Sequence, residues 1–240
     1  MKLLKGFALS FNMMSILPFF KVHDFFKGIN GYSAMFYPLV GFILGLILWG
    51  AHTGLESYIP AVHLSVIIFT LWVLITGALH IDGFSDSVDG LFVDKDKALS
   101  VMKDSHVGGM GMTFTIVFLI LKLSSVIYFD AFYLLPVILM LSRFNATLSI
   151  YFYNYISSGV GELIKKELNK KQLFFALLYT LSLAFLFDFL DAFIISILVL
   201  IICAKFFTSR LGGLNGDVYG FIIELTELAL LNFIIIKNFA

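Results

Sequence analysis

Asp82, Asp86 and Asp89 stand at i, i+4 and i+7 within the stretch 79–111. A helix there sets all three carboxylates on one face, within an arc of roughly 60°. Like charges at that spacing repel by roughly a few tenths of a kcal/mol per pair in water, and by more where water is scarce. A hard divalent cation removes the difficulty, because Mg2+ takes carboxylate oxygens and commonly bridges to substrate phosphates. The plainer reading is a solvated helix face neutralised by Lys95, Lys97 and Lys103. Taken alone, the trio favours that plainer reading. The residues around it shift the balance toward chemistry.

Asp104 precedes Ser105, His106, Val107, Gly108 and Gly109, a glycine-bearing turn at the start of an apolar run. Such a turn exposes backbone N–H groups at a helix N-terminus and can cradle an anion, with Lys103 beside it. Asp94 and Asp96 alternate with lysines, and Asp96 suits the N-cap of a short helix over 97–103. A second cluster runs from Arg210 through Gly212, Gly213, Asn215 and Gly216 to Asp217. It offers another open backbone surface with two polar handles, or else a helix connector with C-cap glycines. Glu224 and Glu227 follow about two turns into an apolar run, where charges need a partner, and Arg143 in another such run is the obvious one. His80, two residues before Asp82, fits a hydrogen bond to substrate or carboxylate better than a direct Mg2+ ligand. His23, His52 and His63 lack any local constellation, and Cys203 reads as a packing residue.

The elements that must position these groups are membrane helices. Of 240 residues, 60% are hydrophobic and only 13% charged, with a mean hydropathy of +0.99. A soluble domain carries about twice that share of charge. Zero net charge gives no basic field for nucleic acid. The apolar runs predict an all-α, polytopic membrane helical bundle in one domain, 1–240, with about seven transmembrane helices: 34–53, 61–80, 107–129, 132–153, 172–188, 190–208 and 217–236. The first eighteen residues read as an interfacial or partly inserted helix that stays in the mature protein. Gly41, Gly45 and Gly50 in the first span suit close helix packing. With the N-terminus inside, 13 of 16 basic residues, Lys21 among them, lie on the cytoplasmic side and only Lys237 lies opposite. The loops 81–106, 154–171 and 205–217 then share that side and could form one acidic active site at the cytoplasmic face.

Together these features suggest phosphoryl transfer, which needs positioning and cations more than covalent help from the protein. The stretch 77–90, with Asp82, Asp86 and Asp89, resembles the signature of the cobalamin synthase family, the adenosylcobinamide-GDP ribazoletransferases. So do Met102 to Ser105 with the following glycines, and the run 211–220 with Glu224 and Glu227. The early run 36–41 and the pair Ser142 and Arg143 fit as well, so the likeness covers about residues 5 to 232. The resemblance implies a multi-pass inner-membrane enzyme that joins adenosylcobinamide-GDP to α-ribazole or its 5′-phosphate with Mg2+. GMP leaves, and adenosylcobalamin or its 5′-phosphate forms. It makes Asp82, Asp86 and Asp89 metal-site candidates, with Asp104 a fourth ligand or the base; the residues themselves offer His80 as a further catalytic candidate. Substrate contacts fall to Lys103, Ser105, His106 and Gly108, with Arg143, Asn215 and Asp217 from later in the chain. A homo-oligomer, or association with other cobalamin-pathway enzymes, stays open.

Two departures stand out. The family usually has Arg where this chain has His106, and a Thr-Arg pair where it has Met14 and Ser15. Two other readings compete. A CDP-alcohol phosphotransferase also spaces aspartates in a membrane, but its motif continues from Asp-Gly into Ala-Arg, whereas Asp89 and Gly90 precede Leu91 and Phe92. A transporter would use Glu224, Glu227, Arg143 and Lys122 as an ion path, near the midplane of a repeated fold. Here the acids concentrate in a loop and no repeat is visible.

Overall fold

The apolar runs fold as helices throughout. The computed structural model describes residues 2–17, 22 and 25–239; Lys21 and His23 fall outside them. In chain order the helices are α1 (Lys2–Met14), α2 (Ile29–Leu55), α3 (Ala61–Thr76), α4 (Leu79–Leu91), α5 (Lys95–Val101) and α6 (Gly109–Ile127). A 3-10 turn (Phe132–Leu134) leads into α7 (Leu135–Phe152), followed by α8 (Val160–Glu167), α9 (Lys170–Leu186), α10 (Leu190–Leu211) and α11 (Gly216–Phe239). Among the described residues, α2, α6, α7 with its preceding turn, α10 and α11 are long and apolar enough to cross a membrane.

The expectation of seven spans is therefore not met at full length. α3 has 16 residues and α9 has 17, about 24–26 Å of helix against a hydrocarbon core of about 30 Å. The expected span 61–80 breaks because Gly77 and Ala78 both adopt left-handed backbone, with φ of 63° and 54°. The break turns α4 by 82° away from α3. Hydropathy alone does not register it, since Ala78 and Leu79 are themselves apolar. α3 and α4 together would make a sixth, bent span; because α4 leaves the line of α3, we treat it as lying outside the crossing segments.

α7 forms the axis of the bundle, with every residue from 135 to 147 buried. α2 packs most extensively against it. Gly41 sits against the backbone of Leu139, and Gly45 against that of Pro136, whereas Gly50 faces open space. Two of the three glycines thus serve helix packing as the sequence suggests. α9 starts with a capping box: Asn169 accepts from the N–H groups of Lys171 and Gln172, and Gln172 accepts from the Asn169 N–H.

The loops assigned by charge to a common side gather at one end of the bundle. The segment at Tyr155 pairs with Leu214, as the Ile156 N–H donates to the Leu214 carbonyl at 3.0 Å. Arg210 donates to the Val93 carbonyl, and Glu167 accepts from the Asn30 backbone N–H and side chain. At the other end Lys237 pairs with Asp191, and Asn238 donates to Asp130 at 3.1 Å.

Gly41→Leu should force α2 off α7, an overpacking cost of about 1–3 kcal/mol or more. Size-exclusion profiles and thermal unfolding in detergent should show that loss, while Gly50→Leu behaves as wild type.

Candidate active site

α4 has two chemically opposite faces. Phe84 and Val88 are buried, and Phe84 stacks on Phe221 of α11 at 4.9 Å and meets Phe118 of α6 at 4.4 Å. That aromatic contact seats α4 between α6 and α11. The acidic arc lies on the far side, and exposure falls along it: Asp82 is exposed, Asp86 half-buried and Asp89 buried. Asp89 accepts from the backbone N–H of Gly108 and of Gly111, each at 2.7 Å. The N-terminus of α6 is an anion cradle, and its anion is this chain's own carboxylate. A Cβ at Gly108 or Gly111 would collide with that carboxylate, so the two glycines give Asp89 room to approach.

α11 brings a further acid to the same place. Asn215 caps α11, accepting from the Val218 N–H at 3.0 Å, and donates to Asp217 at 2.7 Å. The backbone of Asp217 packs against Gly83 of α4. Burial, and then the neighbouring carboxylates of Asp82, Asp217 and Asp89, push the Asp86 carboxyl up to about 7. Lys103 is close enough to Asp217 to act on it electrostatically. Among the described residues no three His, Cys, Asp or Glu side chains already form a metal cage. Crowded, oxygen-only donors without a closed cage suit Mg2+, which keeps waters and completes its shell with substrate phosphates. The residues therefore fit such an ion, with Asp82, Asp86 and Asp217 as the open carboxylates.

Behind α4 lies a second set of charges. Lys122 of α6 reaches Glu224 at 2.6 Å and Glu227 at 2.5 Å, and Arg143 of α7 pairs with Glu227. All four are buried. Two cations and two anions balance, which is what enclosed charges require. Lys122 also lies 4.5 Å from the Trp72 ring centroid. His80 belongs to this side: it is buried, and burial, with Arg143 close by, lowers its pKa to about 3.

The description cobalamin-5-phosphate synthase attaches to the family model that matches residues 6–235. The chain belongs to that family. It is 34% identical over 204 residues to an adenosylcobinamide-GDP ribazoletransferase of Thermosynechococcus vestitus, covering 83% of this chain and 84% of that protein. Proteins of that name from Brevibacillus brevis and Desulfitobacterium hafniense are each 32% identical, over 83% of this chain and 85% and 84% of their own length. No solved structure matches.

For this cobalamin-5-phosphate synthase family member, the structure sorts the residues singled out by sequence. Asp82 and Asp86 meet Asp217, which the sequence offered as a polar handle and a substrate contact. Asp89 is engaged in holding α4 to α6. Asp104 lies on the exposed turn after α5, where the His106 ring contacts it at 2.7 Å and holds it below the usual carboxylate range, making it a weaker base. Ser105 and His106 are exposed on that turn, and the Gly108 N–H is taken by Asp89. Arg143 is wholly enclosed with Glu227, away from the acidic arc, and Asn215 is occupied as a cap. The short helix α5 starts at Lys95 with Asp94 at its N-cap position, two residues before the place expected from Asp96.

An aspartate whose folded pKa exceeds its unfolded value costs stability as pH rises between the two. Asp86→Asn should therefore raise the melting temperature of the EDTA-treated protein at pH 8, by about 2 °C. At pH 5 the gain should be smaller, and at about pH 3, where Asp86 is protonated in the folded and unfolded chain alike, it should vanish. A fall at pH 8 would contradict the crowding.

Proposed function

We propose that this chain joins adenosylcobinamide-GDP to α-ribazole, or to its 5′-phosphate, in a Mg2+-dependent reaction at the acidic face of α4 and α11. The crowding of Asp82 and Asp86 on α4 by Asp217 on α11, in a chain of this family, carries the reading. A ribose hydroxyl attacks the cobinamide-bearing phosphorus. A new P–O bond forms, the bond to GMP breaks, and the hydroxyl proton passes to a base or to water. Adenosylcobalamin or its 5′-phosphate is the product.

Mg2+ bound at Asp82, Asp86 and Asp217 would neutralise the pyrophosphate oxygens and the departing charge. The protein supplies placement. Asp89 fixes the pitch of α4 through Gly108 and Gly111, Asn215 holds Asp217, and Lys103 adds a cation beside the acids. His106 stands exposed where the family usually has arginine. The four buried charges neutralise one another, which favours a structural part for them over the ion path of a transporter. We place the enzyme in the cell inner membrane with this face in the cytoplasm. The excess of basic residues on the loops gathered at that end supports the orientation.

The test is GMP release by the lipid-reconstituted protein given adenosylcobinamide-GDP, α-ribazole 5′-phosphate and Mg2+. Asp82→Ala should lower the rate on the order of a hundredfold or more, and EDTA should abolish it. Absence of GMP from a folded, inserted protein would overturn the activity.

A further inference from the structure

We propose that the cavity walled by His80, Tyr155 and Tyr219 seats the base of the nucleoside substrate, a flat, largely apolar heteroaromatic ring with one acceptor nitrogen. The proposal rests on the ribazoletransferase reading and adds the subsite for one of its two substrates. The cavity lies between α1, α2, α4, α7, α8 and α11, and holds about 420 Å3, within the range of about 300–1,000 Å3 typical of small-molecule sites.

Most of the wall is apolar or aromatic, with Met13, Tyr37, Ile150, Ile164 and Ile223 contributing. Against that wall two polar groups are left over. The Tyr219 hydroxyl and the His80 Nε2 are buried without a hydrogen-bond partner, on residues only 7% and 5% exposed. Buried polar groups are normally satisfied, so a pair of them on one cavity implies a partner that arrives from outside. A hydroxyl and an imidazole can donate to a ring nitrogen. The Tyr155 and Tyr219 rings stand 6.3 Å apart and offer faces and edges to another aromatic ring.

The lining also excludes the other substrate. Among the described residues no Lys or Arg borders the cavity, so a pyrophosphate finds no charge partner among them. A corrin ring is far too large for it. A benzimidazole has one free acceptor nitrogen and an apolar body. The position suits the chemistry as well. Gly216 lines the cavity and Asp217 is the next residue, so a sugar attached to a seated base is delivered beside the acidic arc.

Two variants of the full-length protein test this. Tyr219→Phe keeps the ring and removes the hydroxyl. Gly216→Leu adds bulk where an added Cβ meets nothing within 4 Å, so it narrows the cavity without a clash at that atom. Calorimetric titration of α-ribazole in EDTA reads binding without chemistry, and steady-state GMP release reads the two KM values separately. Tyr219→Phe is expected to weaken α-ribazole binding about tenfold and raise its KM alike, with KM for adenosylcobinamide-GDP unchanged. Gly216→Leu is expected to abolish the calorimetric signal. Wild-type affinity for α-ribazole in both variants, or a change confined to KM for adenosylcobinamide-GDP, overturns the proposal. If the wild type releases no GMP, the activity reading fails on its own, and Tyr219-dependent binding of α-ribazole still decides the cavity.

Discussion

The carboxylate of Asp89 takes two backbone N–H groups at the start of α6, and that pair of charge-assisted bonds fixes where α4 lies. α4 turns 82° away from α3, so the helix before it does not set its direction. Its position comes from the Asp89 clamp on one face and the Phe84 contacts with Phe118 and Phe221 on the other. With those two anchors in place, the 3.6-residue period leaves Asp82 and Asp86 turned toward the first turn of α11, where Asn215 holds Asp217. A negative group at a helix N-terminus is favourable; three more carboxylates nearby are not. The same helix thus carries a satisfied acid that builds the fold and unsatisfied acids left for a ligand.

The buried charges complete the frame. Lys122 on α6, Arg143 on α7, and Glu224 and Glu227 on α11 tie three helices together at one point. Such a cluster is weak as a source of stability and strong as a fixer of register, because each charge, once enclosed, has few alternatives. α6 takes part in both the acidic clamp and the ionic cluster, so α4 and α11 share a common reference. The cavity beside His80 and Tyr219 lies against the same helices.

Much of this was legible from residue types. Apolar runs located the helices, the i, i+4, i+7 spacing placed the aspartates on one helical face, and charge asymmetry picked the loops that meet at one end. Glu227 finds Arg143, as the cost of lone charges in apolar runs suggests. The turn at Gly77 and Ala78 escaped because hydropathy measures polarity, not dihedral angle. The meeting of Asp217 with Asp82 and Asp86 was not legible because it depends on packing across more than 120 residues of chain. Closeness in sequence to a glycine turn does not fix where a side chain points, and the Asp104 carboxylate is turned to His106. The capping box at Asn169 and Gln172 was readable from spacing alone.

Mn2+ titrated into metal-free, full-length protein with adenosylcobinamide-GDP present, followed by EPR, tests the proposed Mg2+ site most directly. Bound Mn2+ that is lost in Asp82→Ala and in Asp217→Asn, and retained in the exposed-loop variant Asp94→Asn, is the predicted result. Equal binding in all three variants would contradict an ion held between α4 and α11.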